Sequence, residues 1–173
     1  MKAIWLAALL ASTGGAALAQ GGAADPDRRM RGLEGWVISE TTSPVDYSPI
    51  VTATATARDR NEGALSQIAV LCRGGRTELV VSGAPATATE SEFDLSYRVD
   101  SGEPVRIRGG RAAFGSGIAF RGDVVNLLKS LPDAGEFSVR VATRSGAAHQ
   151  GTFPLAGVAK ARERVAVACQ WPR

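Results

Sequence analysis

Apolar and polar positions alternate along most of this chain in short runs, broken by glycine, proline and small polar clusters. Such alternation marks half-buried strands, because successive side chains of a strand face opposite sides. The first run is Trp36-Val37-Ile38-Ser39, followed by a turn or bulged connection over Ser43 to Pro49. Residues 50–57, where small apolar residues alternate with threonine, predict a second strand, and Arg58 to Gly63 a charged loop. The clearest hairpin joins residues 66–73 to 76–82 through Gly74-Gly75, a two-residue connection suited to positive φ. It pairs Cys72 with Thr77 and Val70 with Leu79, placing Ile68, Val70, Cys72, Leu79 and Val81 on one face. Gln67 and Glu78 fall on the other, with Ala69, Leu71 and Val80.

After a loop from Gly83 to Glu92, a second hairpin runs from Phe93 to Val99 and back from Pro104 to Arg108. An odd-length turn, with Asp100 opposite Pro104, gathers Leu95, Tyr97, Val99, Val105 and Ile107 on one face and Arg98, Arg106 and Arg108 on the other. A turn one residue shorter would mix the two sets, which a half-buried sheet disfavours. Gly115-Ser116-Gly117 predicts a short hairpin between residues 112–114 and 118–120. Asp123 opens a short helix with Val124, Leu127, Leu128 and Leu131 on its apolar side, and Pro132 stops it. Glu136 to Thr143 returns to alternation, with Phe137, Val139 and Val141 inward, and turns into His149 to Phe153. Val158 to Ala168 predicts a helix with Val158, Ala161, Val165 and Ala168 on one side. The expected fold is mainly β: an antiparallel β-sandwich or distorted barrel with a short helix and a C-terminal capping helix.

The N-terminal residues follow a different pattern. Lys2, the short apolar run Ala3 to Ala11 and the A-x-A site Ala17-Leu18-Ala19 predict a cleavable secretory signal over residues 1–19. That run is shorter than the ~20 apolar residues needed to span a bilayer. Residues 20–34, small and charged without periodicity, read as a flexible leader, and 35–173 as a single β-rich domain. No later stretch is long and apolar enough for a membrane helix, so the expected location is the periplasm. Export changes the meaning of the two cysteines, Cys72 and Cys169. In an oxidising compartment an even count favours a disulfide; two buried free thiols are the alternative.

The net charge of +3, with both signs interspersed, gives no reason to invoke nucleic acid. Catalytic chemistry is equally thin, and the chain reads as non-enzymatic. Ser116 lacks the G-x-S-x-G frame of a nucleophile elbow, and the one histidine, His149, reads as structural. Glu90 with Glu92 or Asp94 could be paired carboxylates, but their small-residue surroundings fit solvent-facing acids better. Two cysteines and one histidine make no zinc site, and no cofactor motif is present. The candidate binding residues are Arg98, Arg106 and Arg108, since guanidinium groups side by side suit carboxylate or phosphate. A solvated face that protects a strand from edge pairing is the plainer reading.

Trp36, the S-P-V-D-Y-S segment at Ser43 to Ser48, a strand ending in Cys72-Arg73, and Arg76 to Leu79 occur in order. Tyr97-Arg98-Val99-Asp100-x-Gly102-x-Pro104-Val105 and the Val124 to Leu131 helix follow, then Phe153-x-Leu155-x-Gly157 and Cys169-x-Trp171. In this order and spacing the chain resembles the VasI-type accessory proteins associated with bacterial type VI secretion. It departs from them at Tyr47, where the family favours a second acid, and at Gln170, where it has glycine. The resemblance implies a non-catalytic periplasmic binding or accessory protein whose partner is an envelope protein or a cell-wall component. The alternative expectation is a periplasmic inhibitor or immunity-type protein that plugs a cell-wall enzyme, with Gly83 to Glu92 as the plugging loop.

Overall fold

The computed structural model describes residues 35–59, 63–83, 91–143 and 146–172. The signal and leader expected over residues 1–34, and most of the loop from Gly83 to Glu92, lie outside them. Among the described residues nine strands form one antiparallel sheet that is not closed into a barrel. They are β1 (Val37–Thr42), β2 (Pro49–Thr56), β3 (Leu65–Arg73), β4 (Arg76–Gly83), β5 (Glu92–Val99), β6 (Val105–Arg111), β7 (Ile118–Phe120), β8 (Glu136–Ala142) and β9 (Ala148–Pro154). Helix α1 (Val124–Ser130) lies between β7 and β8, and α2 (Val158–Ala168) follows β9. In space the strand order is β1-β2-β3-β4-β7-β6-β5-β8-β9. The three-residue β7 therefore stitches the first four strands to the rest, pairing Val80 and Val81 on one side and residues 109–111 on the other.

The sheet curls until its last strand meets its early ones. The Arg58 N–H donates to the Thr152 carbonyl at 2.8 Å, and Leu65 packs beside Gly151. The inner face carries the core: Leu65, Ile68, Val70, Leu79, Val81, Leu95, Ile118, Phe137, Val139, Val141 and Phe153 are all buried. Rings of Tyr97, Phe120 and Phe137 cluster there with centroids 5.4–6.4 Å apart.

The β3–β4 hairpin has the expected register, with Arg73 opposite Arg76, Cys72 opposite Thr77 and Val70 opposite Leu79. Cys72 points inward and is bonded to Cys169, with the two Cα atoms 5.7 Å apart. The end of α2 explains why Cys169 can reach. Gln170 takes φ 50°, and the N–H groups of Gln170 and Trp171 donate to the Val167 and Ala166 carbonyls. This two-bond termination stops the helix and turns the chain back toward the sheet. The Trp171 indole then donates to the Thr77 hydroxyl at 2.7 Å, beside the disulfide. Buried Val158, Ala161 and Val165 face the sheet along the rest of α2.

Two expectations need correction. The β5–β6 register is displaced by two residues: Tyr97, not Val99, stands opposite Val105, so Asp100 does not face Pro104. Asp100 is instead tied to the neighbouring strand, where its N–H donates to the Glu136 carbonyl and its carboxylate accepts the Glu136 N–H. A two-residue displacement preserves the faces, so the arginines stay together. Secondly, the arm that pairs with β7 is Gly109-Gly110-Arg111, not residues 112–114. Glycine permits this close approach, because a Cβ at Gly109 would lie 2.1 Å from the Leu95 side chain. Glu78, on the face where the hairpin register was expected to put it, is only 4% exposed. The displaced segment folds over it, and the Ala113 N–H donates to its carboxylate at 3.1 Å.

Candidate functional site

Arg98, Arg106 and Arg108 lie on the outer face of the sheet, opposite the core. Alternation fixes this placement: Leu95 and Tyr97 of β5 and Ile107 of β6 face inward, so Asp94, Ser96, Arg98, Arg106 and Arg108 face out. The strand order adds a residue that sequence reasoning did not single out. β8 is the other neighbour of β5, and Arg140 stands directly opposite Ser96. Ser96 is thus flanked by Arg106 on one side and Arg140 on the other, with Arg98 two residues along the same strand. Gln150 of β9 continues the row beyond Arg140, and Ser138 stands beside Arg98. Arg108 lies one step further out, opposite Asp94, with Glu92 next on the same face of β5.

Neighbouring strands lie about 4.8 Å apart, so the Arg106 and Arg140 backbones are separated by about 9–10 Å across Ser96. Long side chains can converge over that gap. Two shallow depressions of about 400 and 330 Å³ occupy it, both lined by Ser96, Arg106 and Arg140. All four arginines are exposed, and none makes an ion pair or hydrogen bond with another described residue. Mutual repulsion at ~10 Å in a water-like dielectric is only about 0.4 kcal/mol per pair. The fold therefore tolerates the cluster without a partner. An anion placed over Ser96 would relieve that repulsion and accept charge-assisted bonds, each worth roughly 1.5–3 kcal/mol.

The comparisons with known proteins add nothing to this geometry. No family model, curated protein or solved structure matches the chain.

The side chains considered for catalysis lie on different elements. The His149 Nδ1 lies 2.6 Å from the Gly63 carbonyl, fastening β9 to the chain entering β3. Ser116 sits in the β6–β7 loop, where its carbonyl accepts a bond from the Ser82 hydroxyl. Glu92 and Asp94 share a small depression with Arg108; Glu90 is outside the described residues, as is most of the loop expected to act as a plug. A separate depression of about 450 Å³ opens between α1 and β5–β7, where Tyr97, Ile107, Phe120 and Leu127 meet Arg121 and Asp123. It has one cation beside one acid, and so lacks the excess of like charge that marks the outer face. Among the described residues no helix is long and apolar enough to cross a membrane.

Ser96, Ser138, Arg140 and Gln150 were not legible as site residues. The alternation around Phe137, Val139 and Val141 already turned Arg140 outward. What the sequence did not disclose was that β8 returns to the free side of β5, a long-range pairing with no local signature.

Proposed function

We propose that this is an exported, non-catalytic binding protein of the periplasm, an accessory to an envelope assembly. Its outer β6-β5-β8 face holds carboxylate or phosphate groups of an envelope protein or a cell-wall component. The observation that carries this reading is the set of unpaired arginines around Ser96: Arg98, Arg106 and Arg140. A hydroxyl ringed by guanidinium groups offers hydrogen-bond donors and positive charge to an oxyanion. The secretory pattern at residues 1–19 and the resemblance to VasI-type proteins support the compartment and the accessory role. The Cys72–Cys169 disulfide is compatible with export, since such bonds persist outside reducing compartments.

The test is an NMR titration of the mature protein with two probes, a peptidoglycan stem peptide and inorganic phosphate. Amide shifts should centre on Ser96, Arg106 and Arg140 and weaken as salt rises, because exposed charges are screened within ~10 Å at ~0.1 M. Arg106→Glu/Arg140→Glu should abolish them without changing the melting temperature. Shifts that persist in the double variant, or no shifts with either probe, would remove the anion-binding reading.

A further inference from the structure

The sheet has two edges, and among the described residues only one is covered. β9 is met by Arg58 and by the Gly63 carbonyl, through the Arg58–Thr152 bond and the His149 contact. β1 pairs with β2 alone, in an unbroken register from Val37↔Thr54 to Thr42↔Pro49, and its outer side has no partner strand among the described residues. Proteins usually blunt such an edge with charged side chains, proline or a bulge. The segment Val-Ile-Ser-Glu-Thr-Thr has no proline, lysine or bulge. Its one charge, Glu40 on the inner face, lies 3.5 Å from the Arg164 guanidinium of α2, which offsets it.

Exposed apolar side chains collect at the same place. Of the five large hydrophobic residues exposed among the described positions, Val37 (68%), Val45 (87%) and Tyr47 (81%) lie on β1 or the loop leaving it. That loop is stiff. The Ser43 N–H donates to the Ser48 carbonyl, the Tyr47 N–H to the Ser43 carbonyl, and Ser48 donates twice to Asp46 Oδ1. Anchors displayed on a stiff support lose little freedom on binding.

We propose that the protein forms a two-fold homodimer in which β1 pairs antiparallel with β1 of a second copy, making one continuous sheet. Symmetry restricts the register. A two-fold axis through the pair requires residues of the same face to stand opposite each other, so it passes through Ser39 or Glu40. An axis at Glu40 sets like charges directly opposite, which is destabilising. The axis at Ser39 places Val37 opposite Thr41 of the partner and separates the two glutamates. It also brings the Val45–Tyr47 loop of each copy to the Val37 end of the other, so one arrangement accounts for the open edge and all three exposed apolar residues. A lipid surface suits the loop less well, because Glu40 and Asp46 are the only charges between residues 39 and 57 and anionic headgroups repel both. A strand pair of this length alone falls short of the roughly 1,200–2,000 Å² of a stable interface. The loops must contribute, and association in the micromolar range is expected.

The test is sedimentation equilibrium of the whole mature chain from about 1 to about 500 μM, a span that brackets micromolar association. The wild type should pass from monomer to dimer. Val37→Lys/Thr41→Lys sets lysine against lysine twice and should leave a monomer of unchanged melting temperature. Val37→Lys/Thr41→Glu sets opposite charges across the same contacts and should restore the dimer, which only the Ser39-centred register predicts. Should the lysine pair disturb folding, Val45→Ser/Tyr47→Asn substitutes at fully accessible positions, asparagine tolerating the positive φ of Tyr47, and should weaken association at least tenfold. A wild type that stays monomeric throughout, as it would with β1 occupied by its own leader or reserved for another protein, overturns the proposal. So does a dimer indifferent to the lysine pair.

Discussion

Replacing Cys72 and Cys169 together with alanine cuts the covalent tie between the β3–β4 hairpin and the end of α2, leaving every other contact of the helix in place. The bond closes a loop with a sequence separation of 97 residues. In the chain-entropy model, closure of a loop that long destabilises the unfolded ensemble by about 4.7 kcal/mol. The figure is an upper bound, since denatured chains retain structure, and it is large beside a total stability of about 5–15 kcal/mol. At roughly 2–4 °C per kcal/mol for a chain of this size, the loss corresponds to about 9–19 °C in melting temperature. The assay is urea and thermal unfolding of the protein, oxidised, reduced and doubly substituted, followed by far-UV circular dichroism. Reduced and substituted forms should melt together, well below the oxidised form. A difference under about 3 °C would refute the reasoning, because packing of Val158, Ala161 and Val165 would then hold α2 without the bond.

Three further outcomes are expected. Gly109→Ala places a methyl 2.1 Å from Leu95 Cδ1 and 2.9 Å from Ile118 Cγ2, and should lower stability by about 1–3 kcal/mol in urea unfolding, with no change counting against the close approach. Glu78→Ala removes the acceptor of the Ala113 N–H and should cost about 1–3 kcal/mol; a change within about 0.5 kcal/mol would show that the covering segment needs no such bond. The hydroxyls of Ser43 and Ser48, with the Ser48 N–H, hold Asp46 below its ordinary pKa of 3.8. Because the folded value is the lower one, this contribution is present above the unfolded pKa and is lost as pH falls through the folded one. NMR titration should therefore give Asp46 a pKa below 3.8, shifted back up in Ser48→Ala; a value at or above 3.8 in the wild type would contradict the loop geometry.

Local chemistry made much of this fold readable. The Gly74-Gly75 turn set the β3–β4 register and thereby aimed Cys72 inward, and the spacing of Val158, Ala161 and Val165 oriented α2 toward the sheet. Parity protected the arginine face: the β5–β6 register moved by two residues when Asp100 bonded to β8, yet Arg98, Arg106 and Arg108 remained on one side. Order across the sheet was the hidden quantity. Nothing near Ile118 announces that β7 will bridge β4 and β6, and nothing near Arg140 announces a place beside Ser96. The burial of Glu78 was hidden for a related reason, since the segment that covers it comes from Ala113, far along the chain. The site was visible strand by strand and became a cluster only when β8 was placed.

The binding account meets its most direct trial in envelope material. Wild-type protein and Arg98→Glu/Arg106→Glu/Arg140→Glu, matched in melting temperature, would be immobilised and challenged with periplasmic extract and with solubilised peptidoglycan fragments. Mass spectrometry of the retained material should show at least one protein or muropeptide held by the wild type, released by salt, and absent from the variant. Identical retained sets for the two proteins would contradict the claim that this arginine face is where the molecule does its work.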